Sequence, residues 1–290
     1  HSRQTTANGP QQEYNAVLAV PHRGHMSPSS SRAPPDLKTV LRAMSAQPMT
    51  AEVQSWGCAS LRNLTEEGGH DLRCRANELG ALELVLAALK QHPHEPPVQE
   101  CGCAALGGLA KDVPSRTQAV LLGATELVLE ALTANPAEEE VQRWGLSALG
   151  ELLRQGEVVG LRIARRGGLD LVLVAMELHP GAPQVQACAC AVLGRLLLLD
   201  SSVTGIGPLD VDSGGRGLIF AALREHEDAV EVQACGCAAL GGLARRGPAS
   251  LRQDLAAQDG GVALQLVISA LQLWPHSAAV QERGASALRC

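Results

Sequence analysis

Aromatic residues are scarce in this chain of 290 residues, at 2% of the total. Proteins hold unpaired bases by stacking them on aromatic rings, and they hold phosphate backbones on basic surfaces. The chain has few aromatic rings. It also has no excess of basic residues, because 30 acidic residues outnumber 24 basic ones and the formal net charge is −6. The sequence therefore predicts that the protein binds no nucleic acid. A core that must be built from Leu, Val and Ala also favours helices over a β-sandwich.

Long apolar runs are missing as well. No stretch approaches about 18 consecutive apolar residues, so we expect no membrane-spanning helix and no membrane partner. No series of basic, apolar and small residues at the start is typical of a signal peptide. The chain begins at His1 without Met and stops at Cys290 inside a helical pattern, so we expect a piece of a longer protein.

Motifs that would indicate catalysis or a cofactor are also absent. Gly205-Ile-Gly207 lacks the third glycine of a dinucleotide-binding loop, because Asp210 stands there. His92-Pro-His94 falls in a proline-rich turn without further ligands at metal-binding spacing, and we expect solvated turn residues there. The sequence therefore predicts no enzyme, no cofactor and no metal site.

Cysteine is present in an odd number, nine, and six of the nine form three Cys-x-Cys pairs. The pairs are Cys101/Cys103, Cys188/Cys190 and Cys235/Cys237. Residues two apart on a helix point to different sides, so a local disulfide has poor geometry. We interpret these cysteines as reduced, small apolar fillers, which favours a cytoplasmic or nuclear location.

A repeat dominates the sequence. The dipeptide Val-Gln recurs six times at intervals of 43 to 48 residues. Gly or Ala follows the Val after four residues and Leu follows after eight, with a second Leu at eleven in five copies. These offsets fall on one stripe of a helix. The stripe predicts long helices near residues 50–65, 95–110, 137–154, 182–199, 228–245 and 276–290. Glycine inside a helix costs about 1 kcal/mol relative to Ala, so we expect a neighbouring helix to approach closely there.

Two further helices precede each long one. A medium helix ends at a proline such as Pro93 or Pro136, and a short helix such as Asp71–Leu79 or Ser115–Leu122 comes before it. Between the short and medium helices we expect a corner glycine in the left-handed conformation. The expected corners are Gly80, Gly123, Gly168 and Gly261. Stacked units of this kind bury both faces of their helices, which predicts an all-α, right-handed α-solenoid.

Two segments carry a family resemblance. Gly80-Ala-Leu-Glu-Leu-Val-Leu-Ala-Ala-Leu89 and Val98-Gln-Glu-Cys-Gly-Cys-Ala-Ala-Leu-Gly-Gly-Leu-Ala110 resemble the second and third helices of the armadillo repeat. The resemblance covers residues 35–290 and implies about five to six repeats of three helices each, truncated at the C-terminal end. Residues 1–34, rich in Ser, Pro, Gln and His, are predicted to be disordered. Residues 200–217, rich in Gly and Pro, are predicted to form an irregular insertion.

The resemblance implies a protein-interaction scaffold with a groove lined by the third helices. Peptide-binding members of the family hold a peptide backbone with a ladder of Asn, and the nuclear-import receptors add a Trp one turn earlier. Only Asn63 matches the ladder, and Ala or Ser occupies every Trp position. Trp56 and Trp144 come three residues after the Val, where we place them on the buried stripe. The sequence therefore does not predict binding of a basic import signal.

Offsets nine, ten and thirteen after the Val would face the groove if the resemblance holds. The candidate binding residues are Arg62, Asn63, Glu66, Lys111, Glu151, Arg154, Arg195 and Arg245. The rest is mostly Gly or Ala, which predicts a shallow floor of small residues. Because Arg pairs with carboxylates through two parallel hydrogen bonds, we expect an extended acidic or mixed-charge segment of a protein as the partner. Two alternatives stay open: these Arg residues only solvate the fold, or the array is a regulatory or spacer region of a larger multidomain enzyme such as a kinase or a ubiquitin ligase.

Overall fold

A computed structural model describes residues 36–199, 214–246 and 261–289. In these ranges every regular element is helical, with fifteen α-helices and one 3-10 turn at Leu153–Gln155. The predicted disordered segment 1–34 lies outside the described residues, and so does 200–213 of the predicted insertion.

The helices recur in a fixed order. The medium helices are α1 (Leu37–Ala46), α4 (Ala81–Gln91), α7 (Ala124–Ala134), α10 (Gly168–Leu178), α12 (Gly215–Glu225) and α14 (Val262–Leu273). The helices that carry Val-Gln, which we call the long helices, are α2 (Ala51–Glu67), α5 (Pro96–Leu109), α8 (Glu139–Leu152), α11 (Pro183–Leu196), α13 (Val230–Arg246) and α15 (Ala278–Leu288). The short helices are α3 (Gly69–Glu78), α6 (Val113–Leu121) and α9 (Glu157–Arg165).

The helices form two layers with the core between them. Each long helix packs along the next long helix in chain order, and each medium helix packs on the long helix that follows it. The Val of Val-Gln is buried in all six copies, and the Leu eight residues later is buried in the first five. The apolar stripe read from the sequence is therefore the face that builds the core.

One end of the predicted insertion is helical. Gly215, Arg216 and Gly217 form the first turn of α12, although we expected irregular structure through residue 217. Glycine weakens a helix, but this turn is continuous with buried Ile219 and Leu223, whose packing outweighs the local preference.

The interior glycines of the long helices each accommodate a side chain from the medium helix. A Cβ added to Gly145 would lie 2.6 Å from Leu132 Cδ2, thirteen residues earlier. The same relation, at 2.3 to 2.7 Å, holds for the glycines of α2, α5, α13 and α15. The predicted close approach is thus real, and the approaching group is a Leu or Met side chain.

Neighbouring long helices approach through a different set of glycines. A Cβ on Gly194 would lie 3.3 Å from the backbone nitrogen of Ala239, and one on Gly241 would lie 3.2 Å from Ala287 Cα. Both glycines are buried. We expected the small residues nine positions after the Val to form a shallow groove floor. At these two positions that expectation is wrong, because the next long helix covers them.

Three corner glycines have the predicted left-handed backbone, with φ of +83° at Gly80, +85° at Gly123 and +74° at Gly261. For the fourth predicted corner, Gly168, the prediction is wrong by one residue. Gly167 is the left-handed corner, at φ +69°, and Gly168 is the buried first residue of α10. Gly168 must also be small, because a Cβ there would meet the Ile163 side chain at 2.3 Å.

The Gln of each Val-Gln pair closes the end of the preceding medium helix. Gln142 Nε2 donates to the carbonyl oxygens of Leu132 and Asn135, both at 2.9 Å. The other five Gln residues make the same two bonds, to the residues ten and seven positions earlier. The last carbonyls of a helix lack partners within the helix, so this side chain satisfies groups that would otherwise be buried unpaired.

A second series of hydrogen bonds joins successive units at the turn after each medium helix. The donors and accepting carbonyls are His92 to Pro48, Asn135 to Pro93, His179 to Pro136, His226 to Pro180 and Trp274 to Glu227, at 2.7 to 3.2 Å. We expected His92 to be a solvated turn residue, and that expectation is wrong because this bond draws it into the interior, where it is 6% exposed. His94 is exposed.

Among the described residues no single helix is long and apolar enough to cross a bilayer. The helices α6 and α7 reach that length and composition only as a pair, and they meet at 70°.

Candidate functional site

The long helices share one accessible face. Its residues lie three, six, ten and thirteen positions after the Val, and we call it the long-helix face. At offset three every side chain is half-buried or exposed. These residues are Trp56, Cys101, Trp144, Cys188, Cys235 and Arg283. At offset ten Asn63 is exposed, Glu151 and Arg195 are half-buried, and Gly108 and Gly242 are buried. Offsets three and ten are about two helical turns apart on nearly the same side of each helix.

The placement of Trp56 and Trp144 on the buried stripe is confirmed only in part. Both pack against the core, but both are half-buried and belong to the long-helix face. At about 100° per residue, offset three lies about 20° from offset ten and about 95° from the centre of the core stripe. That helical arithmetic, applied to offset three, is the signal that identifies Trp144 as a face residue.

Trp144 is the centre of one group of polar contacts, which we call the Trp144 cluster: Arg62, Glu140, Arg143 and Trp144. The guanidinium carbons of Arg143 and Arg62 lie 4.4 and 5.6 Å from the centroid of the Trp144 ring. Trp144 Nε1 and Arg143 Nη1 both donate to Glu140 Oε2, each at 3.1 Å. Cations over an indole face are attracted by its quadrupole, so both Arg side chains help to hold the ring in place.

The Trp144 cluster bridges three units. Arg62 belongs to α2 and Trp144 to α8, so their contact passes over α5 between them. Ala104 of α5 is 3% exposed, whereas Ala59 and Ala191, at the same offset, are only half-buried. Ala104 is thus the most buried residue at offset six among the described long helices, and it lies on the helix that the Arg62–Trp144 contact crosses.

A second group, the Arg195 cluster, consists of Glu151, Arg154, Arg195 and Arg283. Arg154 Nη1 lies 3.8 Å from Glu151 Oε2. Burial lowers the pKa of Arg195; the Glu151 carboxylate opposes this shift, and repulsion from Arg154 and Arg283 adds to it. Arg283 Nη1 also donates to Cys235 Sγ at 3.2 Å. Arg195 thus lies in the field of two further guanidiniums, Arg154 and Arg283, and of the Glu151 carboxylate.

The structure brings some predicted site residues together and separates others. Glu151, Arg154 and Arg195 are neighbours in the Arg195 cluster. Arg62 and Asn63 lie at the Trp144 cluster, where Arg62 Nε donates to Asn63 Oδ1 at 3.2 Å. The remaining candidates are exposed: Glu66, Lys111 and Arg245, of which Arg245 donates to Ser286 Oγ at 3.2 Å.

Sequence analysis missed four residues of the two clusters: Glu140, Arg143, Trp144 and Arg283. They lie one position before the Val or two and three positions after it. The predicted site residues lie nine, ten and thirteen positions after the Val. The first turn of each long helix therefore contributes no residue to the predicted site.

Buried thiols behave as fillers. Burial raises the pKa of Cys103 to about 12 and the pKa of Cys237 to about 11. A raised pKa keeps the thiol neutral and weakly nucleophilic, as expected of a small apolar residue.

One group of possible metal ligands lies away from the long-helix face. Among the described residues, His70, Cys74 and Asp112 place one ligand atom each within 4.8 Å of the others. The sequence prediction of no metal site did not consider this trio.

Comparisons with known proteins return little. No family model matches the chain, and no curated protein matches it. One solved structure that is similar to this chain is described as "A conserved phosphorylation switch controls the interaction between cadherin and beta-catenin in vitro and in vivo". The two chains are 19% identical with a TM-score of 0.47, and the match covers 87% of this chain and 52% of the other. The chain therefore spans about half the length of the chain it matches.

Proposed function

We propose that this chain is an armadillo-like, right-handed α-solenoid of about five to six repeats that acts as a non-catalytic scaffold for protein–protein interaction. The proposal is supported by the recurring order of medium and long helices, the left-handed corner glycines and the side-by-side packing of the long helices. Repeats that contact only their neighbours build extended surfaces, which suit extended partners.

The long-helix face is the proposed binding surface, and an extended acidic or mixed-charge segment is the proposed partner. The observation that carries this proposal is the Arg195 cluster. Two further guanidiniums act on Arg195 there, although the whole chain is acidic, at −6. An Asp or Glu side chain of a partner would relieve the repulsion between Arg195, Arg154 and Arg283 while pairing with a planar guanidinium.

The Trp144 cluster would supply the apolar part of the same surface. Aromatic and Arg side chains that are already fixed lose little conformational entropy on binding, and they are the residue types that contribute most at interfaces. Trp144 is fixed by its bond to Glu140 and by Arg143 on its ring. A mixed-charge segment with an apolar side chain near its carboxylates fits both clusters.

Charge reversal with a matched control tests the binding surface. Arg154→Glu with Arg195→Glu reverses two charges of the Arg195 cluster. Arg165→Glu with Arg224→Glu reverses two exposed charges at the ends of α9 and α12 and changes the net charge equally. Both double variants and the wild type are used to capture partners from lysate, and the captured proteins are identified by mass spectrometry.

We expect a partner that the wild type and the control retain and the Arg154/Arg195 variant loses. A synthetic segment of that partner should bind more weakly as salt rises, because exposed charges are screened. A partner that all three proteins retain equally would contradict binding at the Arg195 cluster. Capture of no specific partner by the wild type would favour the spacer alternative.

A further inference from the structure

The trio His70, Cys74 and Asp112 combines three ligand types that bind zinc-like ions. His70 and Cys74 lie four residues apart on α3, so both side chains leave the same side of that helix. Asp112 lies directly before α6, one unit further along the chain. Neighbouring units therefore supply the trio jointly.

The distances within the trio suit a shared ion. His70 Nδ1 lies 2.9 Å from Asp112 Oδ1 and 3.8 Å from Cys74 Sγ, and Cys74 Sγ lies 3.9 Å from Asp112 Oδ2. Tetrahedral zinc holds N, O and S ligands at about 2.0–2.3 Å, which places these atoms about 3.4–3.6 Å apart. The two Asp112 distances are to different carboxylate oxygens, and with one ligand atom from each residue the three atoms lie within 4.8 Å of one another. A bound ion would therefore draw the ligands closer together, and the His70 side chain is 66% exposed, so its ring can rotate into place.

Asp112 is oriented toward the trio at the expense of its usual role. It is the N-cap residue of α6 and has an extended backbone there, yet its side chain accepts no capping hydrogen bond from the helix. Asp is favoured at N-caps because its oxygen accepts from a free backbone N–H. Here one carboxylate oxygen faces His70 and the other faces Cys74, and the side chain is only 14% exposed.

The surroundings favour a cation. The carboxylates of Asp112, Glu78 and Asp71 all act electrostatically on Cys74, and Arg73 opposes them. A divalent cation would be attracted by these carboxylates and would displace the thiol proton when it binds.

We propose that His70, Cys74 and Asp112 form a binding site for one divalent, zinc-like metal ion, with a solvent molecule as the fourth ligand. The mixed N, S and O donor set suits zinc and cobalt and is unlike the all-oxygen sites of calcium and magnesium. Because the ligands come from two units, a bound ion would clamp α3 to the start of α6.

Cobalt titration of the full chain tests the proposal. The reduced protein is stripped with a chelator and titrated with Co²⁺, and the thiolate-to-cobalt charge-transfer absorption is recorded. We expect the band to saturate at one equivalent and to disappear when Zn²⁺ is added. His70→Gln and Cys74→Ser should each weaken binding by more than about tenfold, since loss of even an outer-sphere partner costs 10- to 100-fold.

Matched variants separate this site from the other cysteines and histidines. His94→Gln removes an exposed turn histidine and Cys101→Ser a half-buried thiol of the long-helix face, and both should bind cobalt as the wild type does. Zn²⁺ should raise the unfolding midpoint of the wild type and of these controls, and should leave those of the His70 and Cys74 variants unchanged. Absence of the band at stoichiometric cobalt, or a band that persists at equal affinity in the His70→Gln and Cys74→Ser variants, would overturn the proposal.

Discussion

Two glycines five residues apart in α8 should respond to Ala substitution with opposite signs. Gly145 and Gly150 both lie inside the helix, where Ala is favoured over Gly by about 1 kcal/mol. A Cβ on Gly150 would meet nothing within 4 Å, whereas a Cβ on Gly145 would lie 2.6 Å from Leu132 Cδ2 and 3.0 Å from Leu132 Cγ. The two substitutions therefore differ only in what the added methyl group meets.

The magnitudes follow from these contacts. Gly150→Ala should raise the free energy of unfolding by about 0.5–1 kcal/mol, because only the helix preference acts. Gly145→Ala gains the same preference but overpacks the core at Leu132, which costs typically about 1–3 kcal/mol. We expect a net loss of about 1–2 kcal/mol for Gly145→Ala, and a separation of about 1.5–3 kcal/mol between the two variants.

The chain itself offers the rescue. In α11 the equivalent position is Ala189, and the residue thirteen positions earlier is Met176 rather than Leu. Leu132→Met should therefore restore part of the stability of Gly145→Ala, since an unbranched side chain can yield space. Urea denaturation followed by far-ultraviolet circular dichroism measures all four proteins. Equal stabilisation by both Ala substitutions would refute the assignment of Gly145 to the Leu132 contact.

Three further substitutions or modifications test other parts of the fold. Gln142→Glu should lower the free energy of unfolding by about 3 kcal/mol or more at neutral pH, because a buried carboxylate would face two carbonyl oxygens that need donors. That burial raises the folded-state pKa of the new carboxyl above its unfolded value of about 4.3. The loss of unfolding free energy should therefore shrink as pH falls toward about 4 and grow as pH rises through the raised pKa. A loss that is independent of pH in denaturant titrations would contradict this. Asn135→Ala should lower the free energy of unfolding by about 1–2 kcal/mol through loss of the bond to Pro93. Asn135→His should lower it by less than about 1 kcal/mol, because His179 makes the equivalent bond. Equal melting midpoints for the two variants would argue against the bond. Iodoacetamide at about pH 8 should leave Cys103 unmodified in the folded chain and modify it in denaturant. Peptide mass mapping measures the modification, and a labelled Cys103 in the native sample would show that the thiol is accessible.

The parts of the fold that sequence predicts are those set by local periodicity. The Val and Leu stripe needs only a count along one helix, and a corner glycine such as Gly80 needs only the stop of one helix and the start of the next. The error of one residue between Gly167 and Gly168 arises because both are glycine, and only the packing of Ile163 decides which of them enters the helix.

The candidate site was less predictable because its contacts depend on how units stack. Arg62 and Trp144 are two units apart, and no pattern along one helix indicates that they meet over α5. The bond from His70 to Asp112 spans 42 residues, about one repeat, and depends on the register between α3 and α6. The i, i+4 spacing of His70 and Cys74 was visible in the sequence, whereas the third ligand came only from the stack.

The turn hydrogen bonds between successive units have a consequence for how this chain can change in length. Each turn offers a carbonyl to the next unit and takes one from the previous unit, so the units are joined by equivalent connectors. Removing residues 93 through 135 would join His92 directly to Pro136, a His-Pro step like His179-Pro180. His92 would still reach Pro48, and His179 would still find the carbonyl of Pro136. Units that begin and end at these turns are therefore interchangeable. A gene could gain or lose a whole unit at such a turn, and the hydrogen bonds between the remaining units would keep their register.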